Sequence, residues 1–190
     1  TQNSISGRSC ADGGDAVNYN VSSFAADGTY ADLTIAPSTP SCLTANDEIL
    51  LINLEGSWTS TNPNLGNWET LRISSVVGTR VYFKTAKTKY YGSGATDDSG
   101  LGTTNGTQRV MLQRVPNYTN ITVTSTGSFV PAAFNGAKGG VMFFRATGAV
   151  SVAGTIHASG LGYIGGERRL GDGDGTGANG GEAFCGVGGA

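Results

Sequence analysis

His157 is the chain's one histidine, so acyl transfer of the Ser-His-Asp kind would rest on it alone. The residues around it, Gly154-Thr155-Ile156 and Ala158-Ser159-Gly160, hold no acid and read as one face of a thin strand. Carboxylates are better supplied. Asp47 with Glu48, Glu55 with Glu69, and Asp97 with Asp98 would serve glycoside cleavage if two acids faced one cleft, which spacing alone does not bring about. Leu170-Gly171-Asp172-Gly173-Asp174-Gly175-Thr176-Gly177 sets oxygen donors at Asp172, Asp174 and Thr176 between glycines, the opening of a calcium loop. The bidentate Glu such a loop needs at its twelfth position is Ala183, and Glu182 falls one place early. Calcium is the one cofactor this suggests; a solvated Gly/Asp linker is the competing reading. Asp97-Asp98-Ser99 and Asp12-Gly13-Gly14-Asp15 are lesser oxygen clusters, and glycines 162, 165 and 166 lack the Lys-Ser/Thr of a phosphate loop.

Trp58 and Trp68 flank a loop, residues 59–67, dense in Ser, Thr and Asn, and Tyr90-Tyr91 open a polar, glycine-rich stretch. Exposed aromatics beside amides and hydroxyls stack on sugar rings and bond their hydroxyls. Trp58, Trp68, Tyr90 and Tyr91 are therefore the candidate glycan-binding residues, against the reading that the tryptophans cap a barrel end.

The elements that must position these groups are strands. No stretch sustains apolar residues at i, i+3, i+4 and i+7 with caps at both ends. Residues 16–21 and 30–35 alternate, Glu48-Ile49-Leu50-Leu51-Ile52-Asn53-Leu54 is an apolar run of strand length that looks buried on both faces, and residues 70–77 and 80–84 form a hairpin across Gly78-Thr79. Residues 108–115 close this group at Pro116. The spacing predicts a small all-β barrel or sandwich over 1–115, interrupted by a surface loop over 90–107.

Beyond Pro116 the rhythm shortens. Residues 120–124, 140–146, 149–153 and 155–158 are brief strands between Gly or Asn turns, as in a glycine-rich stacked, solenoid-like β-region, although no strict repeat length stands out. Residues 139–190 hold 17 of the 31 glycines and no proline. Glycine lets thin strands approach closely and turn. The short rungs are expected over 116–164 and a glycine-rich tail, disordered or truncated, over 165–190.

Net charge is −2, only 14% of residues are charged, and Lys and Arg do not cluster beyond Arg168-Arg169. Nucleic acid and anionic membranes call for a basic footprint, and no apolar run approaches the roughly 18 residues of a membrane helix, so neither partner is expected. Thr1 reads as a mature terminus or the edge of a longer chain, and the glycine tract at Ala190 suggests that the natural chain continues. Asn20, Asn105, Asn117 and Asn120 each begin a glycosylation sequon that matters only in a eukaryotic source. Cys10 and Cys42 sit in polar, turn-like surroundings and are the preferred disulfide; three free thiols in a cytosolic chain is the alternative. Closing that loop of about 33 residues would stabilise the fold by about 3.7 kcal/mol in the chain-entropy model. Cys185 is then free, paired beyond residue 190 or intermolecular.

Residues 45–52 followed by Glu69-Thr70-Leu71-Arg72-Ile73-Ser74-Ser75-Val76-Val77-Gly78-Thr79-Arg80-Val81-Tyr82-Phe83 resemble a small β-barrel of large exported proteins, in which a Gly-Asp-Glu-apolar strand precedes a Val-rich hairpin, often just before a β-helix. Asn46 stands where that pattern has Gly. Gly139-Gly140-Val141-Met142-Phe143-Phe144-Arg145-Ala146-Thr147-Gly148 through Gly160 resembles the opening of glycine-rich, adhesin-like secreted bacterial surface proteins of the myxobacterial type. The resemblance covers about 45–165 and transfers no catalytic residue. It implies an N-terminal module of a cell-surface protein.

The expectation is a structural or adhesive extracellular protein, not an enzyme. It would act as a filament subunit pairing through strand edges with copies of itself or with other surface proteins. A carbohydrate-binding module is the alternative, and a glycan-cleaving enzyme the third.

Overall fold

The computed structural model describes residues 10, 14–56, 62–104 and 106–163. A 3₁₀ turn, Gly14–Ala16, leads into six strands: β1 (Asn18–Phe24), β2 (Tyr30–Leu33), β3 (Glu48–Glu55), β4 (Trp68–Val77), β5 (Arg80–Phe83) and β6 (Arg109–Arg114). They close an antiparallel barrel in the order β1-β2-β5-β4-β3-β6. Register shifts between Val21 and Ser23, Asn53 and Glu55, and Ile73 and Ser75 mark bulges, which bend strands enough to close so small a barrel.

Side chains alternate as the closure requires. Tyr19, Val21, Ala31, Leu33, Ile49, Leu51, Leu71, Ile73, Val81, Phe83, Val110 and Leu112 fill one buried cluster with Leu43 and Tyr91. Strands β2 and β5 bury every second residue and leave the other face to solvent. Strand β6 is buried at every position and β3 at nearly every one, as the apolar run over residues 48–54 predicts. A strand buried on both faces needs a second layer outside the barrel. Residues 137–145 supply it.

Two local features justify the sequence pattern. Asn46, in the position where the resembled barrel has Gly, has φ of 73°, the left-handed region that Asn tolerates better than other residues with a side chain. Gly78 has φ of 59° in the two-residue turn between β4 and β5, and that hairpin forms as expected. Cys10 and Cys42 are joined by a disulfide, with Cα atoms 5.6 Å apart. The loop expected over 90–107 is only partly a surface loop. Tyr91 is fully buried, Asn64 Nδ2 donates to the carbonyls of Gly92 and Gly94, and Leu101 forms a parallel bridge to Gln108.

Among the described residues, six short strands follow the barrel: β7 (Asn117–Tyr118), β8 (Ile121–Val123), β9 (Ser128–Phe129), β10 (Arg145–Ala146), β11 (Val150–Val152) and β12 (Thr155–Ile156). They pair in parallel: Arg145 with Asn117, Val150 with Ile121 and Thr155 with Ser128, offsets of 28, 29 and 27 residues. This is the solenoid-like region, two coils of three strands each. A strand expected over 140–146 is confined to Arg145–Ala146, because the residues before it leave the coil to cover the barrel. The repeat is visible in the sequence once its length is known: Ile121-Thr122-Val123 with Gly127-Ser128-Phe129 is echoed by Val150-Ser151-Val152 with Gly154-Thr155-Ile156. Tyr118, Phe129 and Phe144 pack together between the coils with ring centres 5.2–6.5 Å apart.

Gly154 is where the coils come closest. A Cβ there would lie 2.2 Å from the carbonyl oxygens of Gly127 and Thr124. Gly154→Ala is therefore expected to separate β12 from β9 at a cost of about 1–3 kcal/mol. The nuclear Overhauser contact between Thr155 and Ser128 should disappear, and its persistence would refute the close-packing argument.

Candidate functional site

The most heavily built surface is the seam where the coil meets the barrel. Outward-pointing side chains of β1, β6 and β3 would ordinarily be solvated, yet Asn18, Asn20, Glu48, Leu50, Met111 and Gln113 are all buried. Asn20 Nδ2 donates to the Ala137 carbonyl at 2.6 Å, Lys138 Nζ donates to the Asn18 carbonyl, and the Gly139 amide points at Met111 Sδ at 3.2 Å. At the other end of the seam, Arg145 on β10 donates from Nε to both oxygens of Glu48 at 2.8 and 2.9 Å, and its Nη2 lies 2.7 Å from Glu48 Oε1. Asn117 on β7 donates to the same carboxylate, and Arg72 faces it across β4. Deeper in, Arg114 donates to the Asp15 carbonyl at 2.8 Å and lies 3.5 Å from Asp47, while the Tyr118 hydroxyl donates to Asp15 Oδ2.

The acids are thereby consumed one by one. Asp47 accepts from Thr44 and faces Arg114, Glu48 is held by Arg145, and Glu55 pairs with Arg109. Glu69 accepts from the Thr88 and Lys89 amides and the Tyr91 hydroxyl. Asp97 caps its own turn, accepting from the Ser99 and Gly94 amides; those hydrogen bonds lower its carboxyl from the ordinary value. Asp98 is paired with Lys87. The oxygen cluster at 97–99 is thus a turn staple, and no group of three metal-ligating side chains occurs among the described residues. Asp172, Asp174 and Thr176, the candidate calcium ligands, lie outside the described residues, as do Asp12 and Cys185. His157 Nε2 lies 3.2 Å from Ser128 Oγ on an exposed rung, with no carboxylate among its hydrogen-bond partners.

Of the candidate glycan-binding aromatics, Trp58 lies outside the described residues. Trp68 and Tyr90 are both exposed, but no contact joins their rings; the side-chain amide of Asn67 donates to the Tyr90 carbonyl at 2.9 Å, and successive side chains of a strand face opposite ways. Tyr91 does not belong with them. It is fully buried inside the barrel, its hydroxyl is bonded to Glu69, and burial together with that charge pushes its ionisation far upward. A polar, glycine-rich context hid this, because the partner lies 22 residues away. The aromatic that sequence reasoning missed is Phe143, whose ring lies 6.2 Å from Trp68 and 5.8 Å from the Arg145 guanidinium. Its place in the Phe143-Phe144-Arg145 run of the rung that meets Glu48 was the available signal.

No protein-family model matches the chain, and no curated protein matches it. Among solved structures, the tailspike protein gp49 from Pseudomonas phage LKA1 is similar at 21% identity, over 62% of this chain and 17% of its own, with a TM-score of 0.35. The Gp54 tailspike of Acinetobacter baumannii bacteriophage AP22, solved in complex with A. baumannii capsular saccharide, is similar at 14% identity, over 70% of this chain and 21% of its own, with a TM-score of 0.32. This chain spans about a fifth of either tailspike's length, and superpositions this loose carry no argument about what it does. No helix among the described residues is long and apolar enough to cross a membrane.

The seam has a pH signature. Burial pushes the Glu48 carboxyl up, but hydrogen bonds from Arg145 and Asn117 and the charges of Arg145 and Arg72 outweigh it and hold the group below its ordinary 4.5. A carboxyl held low in the folded chain stabilises it fully above the unfolded value, and that contribution is lost as pH falls through the folded value. The thermal midpoint should therefore drop as pH is lowered below about 4.5, and Glu48→Gln should flatten that part of the curve. An identical acid slope in the variant would show that Glu48 does not carry it.

Proposed function

We propose that the chain is a structural module of an extracellular surface protein, in which a barrel seeds a β-solenoid and the open rung of that solenoid pairs with further strands. One observation carries this reading. Ile121 and Val123 on β8 are 6% exposed beneath β11, whereas Val150 and Val152, stacked in register above them, are 45% and 46% exposed. Among the described residues β11 pairs with β8 alone, and an apolar stripe beside an uncovered row of backbone donors and acceptors is a template for another strand. The Cys10–Cys42 disulfide supports an oxidising compartment, in keeping with the cell-surface proteins that the sequence resembles. Among the described residues the candidate acids are engaged in structural bonds and the one histidine has no carboxylate partner, which supports a binding or building role over catalysis.

Assembly through the open rung is tested by light scattering and electron microscopy of the whole chain across concentration and ionic conditions. The expected result is a concentration-dependent assembly that a Val150→Lys, Val152→Lys double variant, altered only at exposed positions, abolishes. A wild-type chain that stays monomeric throughout, or an assembly that the double variant leaves intact, would overturn the self-pairing reading.

A second reading, glycan binding, is favoured by a different observation: Trp68 is exposed, with the Phe143 ring 6.2 Å away and the Arg145 guanidinium 5.8 Å from Phe143. Aromatic faces flanked by a guanidinium suit sugar rings that bear acidic groups. Binding on a glycan array that Trp68→Ala removes, with far-ultraviolet circular dichroism unchanged, is the expected outcome. Binding that is indifferent to Trp68 would exclude this surface.

A further inference from the structure

The loop carrying Tyr90 and Tyr91 is anchored by a lysine and an aspartate that sit closer together and drier than an ordinary surface ion pair. Lys87 Nζ is 2.5 Å from Asp98 Oδ2, and the Lys87 side chain is only 5% exposed. Three aromatic rings surround the ammonium, with centres 4.9 Å (Phe24), 5.3 Å (Tyr90) and 5.7 Å (Tyr91) away. Both ends of the lysine are held: its amide donates to the Gly28 carbonyl at 3.0 Å and its stem packs on Gly28, while Nζ also donates to the Lys89 carbonyl at 2.9 Å. Glu69 orders the residues that follow, accepting from the Thr88 and Lys89 amides and from the Tyr91 hydroxyl. On the far side of the carboxylate, the Tyr91 amide donates to Asp98 Oδ1 at 3.0 Å.

We propose that Lys87 and Asp98 condense into an intramolecular amide that welds the 87–98 loop shut. The step needs no external reagent. Proton transfer within the contacting pair gives the reacting forms, Nζ as an amine and Asp98 as a carboxylic acid. The Nζ lone pair attacks Asp98 Cγ, and the Tyr91 amide is placed to hold the negative charge that grows on Oδ1. The intermediate collapses with Oδ2 leaving as water, its two protons drawn from the carboxylic acid and from Nζ, and the Nζ–Cγ bond remains. Fixing reacting groups at contact distance, with neither free to rotate away, is what makes such a condensation fast enough to matter.

The product has a use in a module exposed to proteases and shear. The excursion from β5 to β6 is the longest connection in the barrel, and a covalent tie between its residues 87 and 98 restrains the part of it that carries Tyr91.

The test is the intact mass of the whole chain, reduced and alkylated, followed by peptide sequencing. The wild type should be one water lighter than its sequence, and digestion should yield a branched peptide joining Lys87 to Asp98. Lys87→Arg, which keeps the charge but cannot form this bond, and Asp98→Ala should both return to full mass. A wild type at full mass after prolonged incubation in the folded state overturns the proposal. So does a water loss that persists in Lys87→Arg, since dehydration would then lie elsewhere, as at an Asp-Gly step. The branched peptide from the wild type decides the matter even if either variant fails to fold.

Discussion

The outward face of β1, β6 and β3 is the constraint on which the rest of the structure depends. Closing six strands into a barrel leaves one wall with buried Leu50 and Met111 pointing away from the core, among Asn18, Asn20, Glu48 and Gln113. Such a wall is stable only when covered by something that is apolar in the middle and hydrogen-bonding at the edges. Residues 137–145 meet that description, with glycine over Met111, carbonyl and ammonium groups over the asparagines, and Arg145 over Glu48. Because the covering segment is also the return limb of the first coil, the barrel and the solenoid are parts of one core, and the position of β10 on β7 follows from the seam.

The same arrangement accounts for where the acids of the described residues are engaged. Each carboxylate is placed where a backbone amide or a guanidinium already waits for it, and a group so satisfied serves geometry. Asp47, Glu48, Glu69 and Asp97 all fix a turn or a strand junction. The large apolar and aromatic side chains left exposed include Trp68, Val77, Tyr90, and Val150 and Val152 on β11.

Much of the barrel was legible in the residues. The apolar run at 48–54, the alternation in β2 and β5, the Gly78-Thr79 turn and the two cysteines each answer to a local rule, and each holds. The solenoid was legible as a type but not as a repeat. Strands of two or three residues carry almost no periodicity, and the 15 residues between β9 and β10 hide the match between Ile121-Thr122-Val123 and Val150-Ser151-Val152. Tyr91 was misread as exposed because its environment is made by Glu69, Asn53 and Phe24, none of them its sequence neighbours. Phe143 was missed for the converse reason: Trp68, which gives it meaning, lies on the barrel. Local chemistry sets strands and turns, whereas a site is a property of which walls the chain later folds across.

Native-state hydrogen exchange on the whole chain tests this account most directly. The amides of Arg145, Thr147 and Ala153 bond to the Pro116, Tyr118 and Val123 carbonyls, and those of β3 and β6 lie in the barrel. If the seam makes one core, both sets should be protected and should open together as denaturant is raised. Coil amides exchanging at the rate of a free peptide beside a protected barrel would contradict it.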